Sequence, residues 1–215
     1  FVQTHFPSEW TEYQQEIDPT GHIGFNIDLG SSNAPPSASY DGAIHRAGTW
    51  SSVGAPWNAT LTDPEGRASI MVASSTNSVE GAFASPLLDG DDEKLYEDGQ
   101  SIGGPGSSVT WTFSNLVPGS YRVTTYAWNP NDSGASVSID VAGSAQGAVA
   151  CGGTWLGQPI PGTSHVVHDV QLAGTTMTLT ATTLSGTGFL DGFQLVRLPD
   201  TSTFTSFCAG DGSGT

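Results

Sequence analysis

Cationic side chains are the scarcest feature of this sequence. Five lysines and arginines stand against 21 aspartates and glutamates, a formal net charge of −16 over 215 residues. A chain so anionic repels nucleic acid and anionic membrane, so neutral or cationic partners fit it better. Long apolar runs are missing too: no stretch approaches the roughly 18 residues that cross a bilayer as a helix. No basic segment followed by an apolar one opens the chain, which reads as mature or trimmed. Cysteine is sparse, and Cys151 and Cys208 cannot supply the four ligands of a structural zinc site, leaving one disulfide or two separate thiols. The nucleophile elbow G-x-S-x-G, the zinc motif H-E-x-x-H, the P-loop and the dinucleotide fingerprint are all absent, so familiar hydrolase and nucleotide machinery is not encoded in a recognisable run.

What is present is alternation. "HIGFNIDLG" sets Ile23, Phe25, Ile27 and Leu29 on one face and Asn26 and Asp28 on the other; "SSVTWTFSNL" sets Val109, Trp111 and Phe113 against Ser108, Thr110 and Thr112. "VPGS" then turns the chain, with Pro118 fixing φ and Gly119 free to adopt the turn, and "YRVTTYAW" returns as the second arm of a hairpin. "ASIMVAS", "ASVSIDVAG", "HVVHDVQLAG", "TTMTLTATTL" and "GFLDGFQLVRL" repeat the pattern. Only "SEWTEYQQEI" and "DDEKLY" compete as short helices. Many short strands and a glycine count of 28 predict an all-β fold, an antiparallel β-sandwich of jelly-roll type, with a barrel as the alternative. One domain over residues 1–199 is expected, with 200–215 as an exit segment or linker.

The closing strand "GTGFLDGFQLVRL", with Leu190, Asp191 and Phe193 in an apolar–Asp–x–aromatic pattern, resembles the last strand of galactose-binding-like jelly rolls of the carbohydrate-binding-module type. The segment "WTFSNLVPGSYRVTTYAW" is similar to a hairpin of such modules, and "IDLG", "AGTWSSVG" and "FCAGDGSGT" resemble modules in large secreted proteins of environmental bacteria. The resemblance implies a secreted or cell-surface address, a polysaccharide or glycan partner and other domains in the same chain. It also implies a structural calcium ion joining the first and last strands, for which Asp28 and Asp191 are the matching positions.

"LLDGDDEKLYEDG" concentrates acids in a chain of only 12% charged residues. Asp89, Asp91 and Glu93 have the first three ligand spacings of an EF-hand, but Lys94 and Gln100 stand where that loop needs Gly and Glu. Two readings remain: a different calcium loop using Asp89, Asp91 and Asp92, or a solvated acidic turn running into one helical turn, with Asp91 or Asp92 as N-cap and Leu95 and Tyr96 pointing inward. Catalysis by this stretch alone is the weakest reading, since water screens exposed carboxylates and leaves their pKa values near normal.

Aromatic residues suggest a binding site, because sugar rings stack their C–H faces on Trp and Tyr while Asn and Asp meet the hydroxyls. Strict alternation puts Tyr126 and Trp128 on the polar face of their strand, followed by a loop with Asn129 and Asn131. Either they form a stacking platform, or another segment, such as 145–160 with Trp155 or the N-terminal arm with Trp10, folds over them. Trp50 and Trp57, in "GTWSSVGAPWNAT", form a second candidate on a loop. His165 and His168, three apart on a strand, face opposite ways and cannot share a metal without a bulge. The sequence thus points to a non-catalytic extracellular carbohydrate-binding or adhesive module with a structural calcium, against a surface spacer domain or a polysaccharide lyase or glycosidase.

Overall fold

The computed structural model describes residues 24–76 and 79–198. In chain order the first strands are β1 (Gly24–Leu29), β2 (Trp50–Val53), β3 (Asn58–Thr62), β4 (Ala68–Ser75) and β5 (Glu80–Ala82). One α-helix, α1 (Gly90–Tyr96), leads into β6 (Asp98–Gly103), β7 (Ser108–Ser114), β8 (Gly119–Tyr126) and β9 (Ser136–Val141). The last strands are β10 (Val149–Gly152), β11 (His165–Leu172), β12 (Thr176–Ser185), β13 (Gly188–Leu190) and β14 (Gly192–Arg197). The predicted helix in "SEWTEYQQEI" and the Ile23 position lie outside the described residues.

The strands form a β-sandwich, as the alternation predicted. A five-stranded sheet, ordered β11-β8-β14-β1-β2, faces a six-stranded sheet, ordered β10-β9-β12-β7-β4-β3, and β13-β6-β5 form a small third sheet. Neighbours pair antiparallel, with β1 and β2 as a parallel exception. The core lies between the two large sheets. Phe193 of β14 meets Trp111 and Phe113 of β7 at ring separations of 5.3 Å, and Trp57 meets Trp111 edge-on at 6.0 Å. Such ring pairs add about 0.5–1.5 kcal/mol each beyond the area they bury.

The expected hairpin at 108–128 is a corner instead. β7 belongs to the six-stranded sheet and β8 to the five-stranded one, so the chain crosses the sandwich at "SNLVPGS". The Tyr121 hydroxyl donates back to the Val117 carbonyl at 2.7 Å, pinning the corner; the same tyrosine-corner bond recurs in other β-sandwiches. Local sequence specifies the turn in both cases. Which sheet the second strand joins depends on the facing core residues.

The outer faces of the two large sheets differ. Over the six-stranded sheet, Ser and Thr side chains stand half-exposed. The outer face of the five-stranded sheet is instead roofed by the segment around Tyr40 and Ala43, by α1 and by the loop carrying Trp155. This is why every residue of β1 is buried on both faces.

Candidate functional site

Beneath that roof, cross-strand register builds two rows. Trp50, Asn26, Gln194 and Thr124 form one, and Ser52, Asp28, Gly192, Tyr126 and His165 the other. Tyr126 and Trp128 do lie on the outer face of β8 and its extension, as alternation requires, but they are 0% and 3% exposed. Trp155 packs on Trp128 at 5.0 Å and on Tyr96 at 5.4 Å, and Tyr96 of α1 lies edge-on to both Tyr126 and Trp128. The covering segment 145–160 therefore closes over Tyr126 and Trp128, which have no open ring face left for a sugar to stack upon. Trp50 belongs to the same layer and is 4% exposed, while Trp57 sits in the main core. Both were expected on an open loop; Trp50 instead begins β2 and Trp57 precedes β3.

The polar groups of this layer are joined in one network. The Gln194 amide donates to Asn26 Oδ1 at 3.0 Å and to the carbonyls of Asp41 and Arg46 at 3.3 and 3.2 Å. Its oxygen accepts from the Tyr126 hydroxyl, which in turn accepts from the Ala43 backbone N–H at 2.7 Å. Burial raises the Tyr126 pKa, so the phenol keeps its proton and can donate. Gly192 lets the roof approach. A Cβ there would stand 2.6 Å from the Ile27 carbonyl oxygen and 2.9 Å from Leu95 Cδ1 of the helix.

The acidic loop is a clasp for the roof. It folds as α1, with Asp89 as N-cap rather than Asp91 or Asp92, and Leu95 and Tyr96 are 0% exposed as expected. Asp91 accepts from the Ser37 N–H at 2.8 Å and hydroxyl at 2.6 Å and pairs with Lys94 at 3.0 Å. Asp92 accepts from the Tyr40 hydroxyl. The carboxylates of Asp91 and Asp92 thus hold separate partners instead of converging on one point.

A different set of carboxylates is buried close enough for their charges to interact. Asp28 at the end of β1, Asp98 at the start of β6 and Asp191 between β13 and β14 are each 0% exposed. Asp191 Oδ2 accepts from the Trp128 N–H at 2.7 Å, and Asp98 Oδ2 accepts from the Ser32 and Asn33 N–H groups at 2.9 and 2.8 Å. Both oxygens of Asp28, and Oδ1 of Asp98 and of Asp191, have no hydrogen-bond partner among the described residues. Burial raises the pKa of all three. At Asp28 the neighbouring charges of Asp98 and Asp191 raise it further. The spot is tightly built: Gly30, at φ +134°, would place a Cβ within 2.4 Å of the Asp98 carboxyl carbon. As they stand, no three such groups among the described residues close into a metal-ligating set. Their chemistry nonetheless suits a hard cation, since buried carboxylate oxygens without donors are the ligands calcium takes.

Asp28 and Asp191 were legible as metal candidates, while Asp98 was not. It lies inside the quoted acidic stretch, but its only local signal is the Gly99 that follows; what brings it to Asp28 is the pairing of β6 with β13. The remaining predicted residues are structural or stand apart. Asn129 is buried, donating to the Thr187 carbonyl at 2.9 Å and accepting from the Asn131 N–H at 2.9 Å, while Asn131 is exposed. Beside Trp128 and Asn129 lies a cavity of about 10 Å³, room for about one water and not for a sugar. Cys151 is a free, buried thiol whose pKa is pushed up to about 12 by burial and then by the Asp191 charge; Cys208 lies outside the described residues. His165 faces the aromatic layer, 5.9 Å from the Tyr126 ring, and His168 is fully buried with Nε2 at 3.0 Å from the Gly147 carbonyl.

No family model matches this sequence, and no curated protein matches it. Among solved structures, a calcium-binding mutant of Bacteroides uniformis beta-glucuronidase 2 superposes at a TM-score of 0.50 with 13% identity, over 84% of this chain and 19% of that one. The chain therefore spans about a fifth of that enzyme's length. The CBM36-1 domain of a multidomain xylanase from the hindgut metagenome of Trinervitermes trinervoides aligns at 0.34 with 15% identity, over 59% of this chain and 91% of the domain. A carbohydrate binding module (CBM6cm-2) from Cellvibrio mixtus lichenase 5A, in complex with cellotriose, aligns at 0.34 with 13% identity, over 58% and 90%.

Proposed function

We propose that the chain is a non-catalytic carbohydrate-binding or adhesive module of a larger secreted or cell-surface protein, with its body in residues 1–199 and 200–215 leading to further domains. The observation that carries this reading is the sandwich itself, shared with part of a carbohydrate-active enzyme at a TM-score of 0.50. The charge agrees: at −16, a neutral glycan is a better partner than an anionic polymer. Trp50, Trp57, Tyr126 and Trp128 support the fold in this reading and do not touch ligand, because they are buried.

A structural calcium is part of the proposal. Asp28, Asp98 and Asp191 would hold it, and the ion would supply positive charge to buried carboxylates that otherwise repel one another. These three link β1, β6 and the β13–β14 junction, so the ion would tie the small sheet to the five-stranded one. The binding test is a broad panel of neutral and anionic polysaccharides in pull-down and affinity electrophoresis. Retention on one or more neutral glycans, with no release of product, is expected. Absence of retention throughout would return the chain to a spacer domain, and product release abolished by a single carboxylate change would make it an enzyme.

A further inference from the structure

The outer face of the six-stranded sheet carries a regular field of hydroxyls. Thr178 pairs with Thr112, Thr180 with Thr110 and Thr182 with Ser108 across the β12–β7 ladder, and their side chains point away from the core residues Met177, Leu179 and Ala181. The field continues onto both neighbouring strands, since Ser138 of β9 pairs with Thr182 and Ser74 of β4 with Thr112. Asp140, opposite Thr180, is the one charged residue in these rows. Sheet geometry spaces such groups about 4.8 Å apart between strands and about 6.8 Å apart along them. The hydroxyls are not consumed by one another, apart from Thr110 and Thr180, whose Oγ1 atoms are 3.2 Å apart. Among the described residues no segment roofs this side, where Thr110, Thr112, Thr178 and Thr180 stand half-exposed, in contrast to the layer over the five-stranded sheet.

We infer that this Ser/Thr face is the binding surface, and that its ligand is the ordered surface of an insoluble, neutral polysaccharide rather than a soluble oligosaccharide. The inference rests on the proposed carbohydrate-binding function. A hydroxyl both donates and accepts, as do the hydroxyls of a sugar, so two repeating hydroxyl surfaces can satisfy each other in many local arrangements. Each exchange with water is worth little, about 0.5–1.5 kcal/mol net. Affinity must therefore come from repetition over several rows, which a packed polysaccharide surface offers and a short free chain does not. The near-absence of charge on the face suits a neutral ligand, and the −16 charge of the chain opposes stacking of two copies through the same face.

The test replaces Thr110, Thr112, Thr178 and Thr180 together by Val, which keeps the β-branched shape and strand preference while removing the hydroxyls. The probes are crystalline cellulose and crystalline chitin, each compared with its soluble oligosaccharides. The expected result is retention of the unaltered protein on one insoluble probe, weak or absent binding of the matching oligosaccharide, and at least about tenfold weaker retention of the variant at an unchanged melting temperature. Full retention of the variant would overturn this face as the site while leaving the glycan-binding function standing. Binding of the unaltered protein to neither insoluble probe would overturn the inference, and only absence of retention throughout the broad polysaccharide panel would refute the function itself. Ice-growth inhibition lost on the same substitutions, without retention on either polysaccharide, would also overturn the inference, making ordered water the ligand of the face.

Discussion

Calcium should raise the melting temperature of this protein, and Asp28 should be required for the rise. Three carboxylates with no exposure leave four oxygens without a donor among the described residues. An ion that binds only the folded chain stabilises it by about 2.7 kcal/mol when free calcium is 100-fold above the dissociation constant. For a domain of this size each kcal/mol moves the midpoint by about 2–4 °C, so a rise of roughly 5–11 °C is expected between chelator and saturating calcium. Asp28→Asn removes a ligand charge and should abolish most of the rise. In chelator the same variant should melt no lower than the unaltered protein, because the amide takes away a buried repulsion and can donate to Asp98 or Asp191. Asp91→Asn should leave the calcium response intact, since Asp91 is engaged by Ser37 and Lys94. Differential scanning calorimetry with excess calcium and with chelator reads all three. An identical midpoint in the two conditions, or a full rise in Asp28→Asn, would refute the reasoning.

Three further outcomes test the fold. Gly192→Ala should cost about 1–3 kcal/mol in urea unfolding, because its Cβ would press on the Ile27 carbonyl and on Leu95; a neutral effect would show that the roof is not packed against β14. Tyr121→Phe should cost about 1 kcal/mol by deleting the corner bond to Val117, and an unchanged midpoint would remove that bond from the account. Burial lowers the His165 pKa below its ordinary 6.5, so between the lowered value and 6.5 the unfolded chain binds more protons and stability rises with pH. This contribution is lost as pH falls through that window, and His165→Gln should flatten the slope of unfolding free energy between pH 5 and 7; an unaltered slope would assign it to other groups.

Much of the sandwich was legible locally. "TWTF", "TLTA" and "SVSIDV" alternate so strictly that their inward and outward faces follow from a two-residue period alone, and the structure keeps those faces. The corner at Pro118–Gly119 was legible as a turn but not as a change of sheet. The aromatic layer was half legible: alternation placed Tyr126 and Trp128 off the core, and Trp155 was a candidate to cover them. The acidic helix was a third part of the same roof, and nothing in its own sequence says that Tyr96 lies against Tyr126, thirty residues later in the chain.

By itself the sequence determined the β class, the strand faces, among them Ser108, Thr110 and Thr112 on one side of β7, and the strongly negative charge, because each follows from neighbouring residues or from composition. Tertiary structure alone decided which aromatics are covered and that Asp98 joins Asp28 and Asp191, residues separated by up to 163 positions. Such meetings are set by strand order and by what packs over a sheet. Those depend on side-chain fit across the whole core and leave no periodic trace in the segments they bring together.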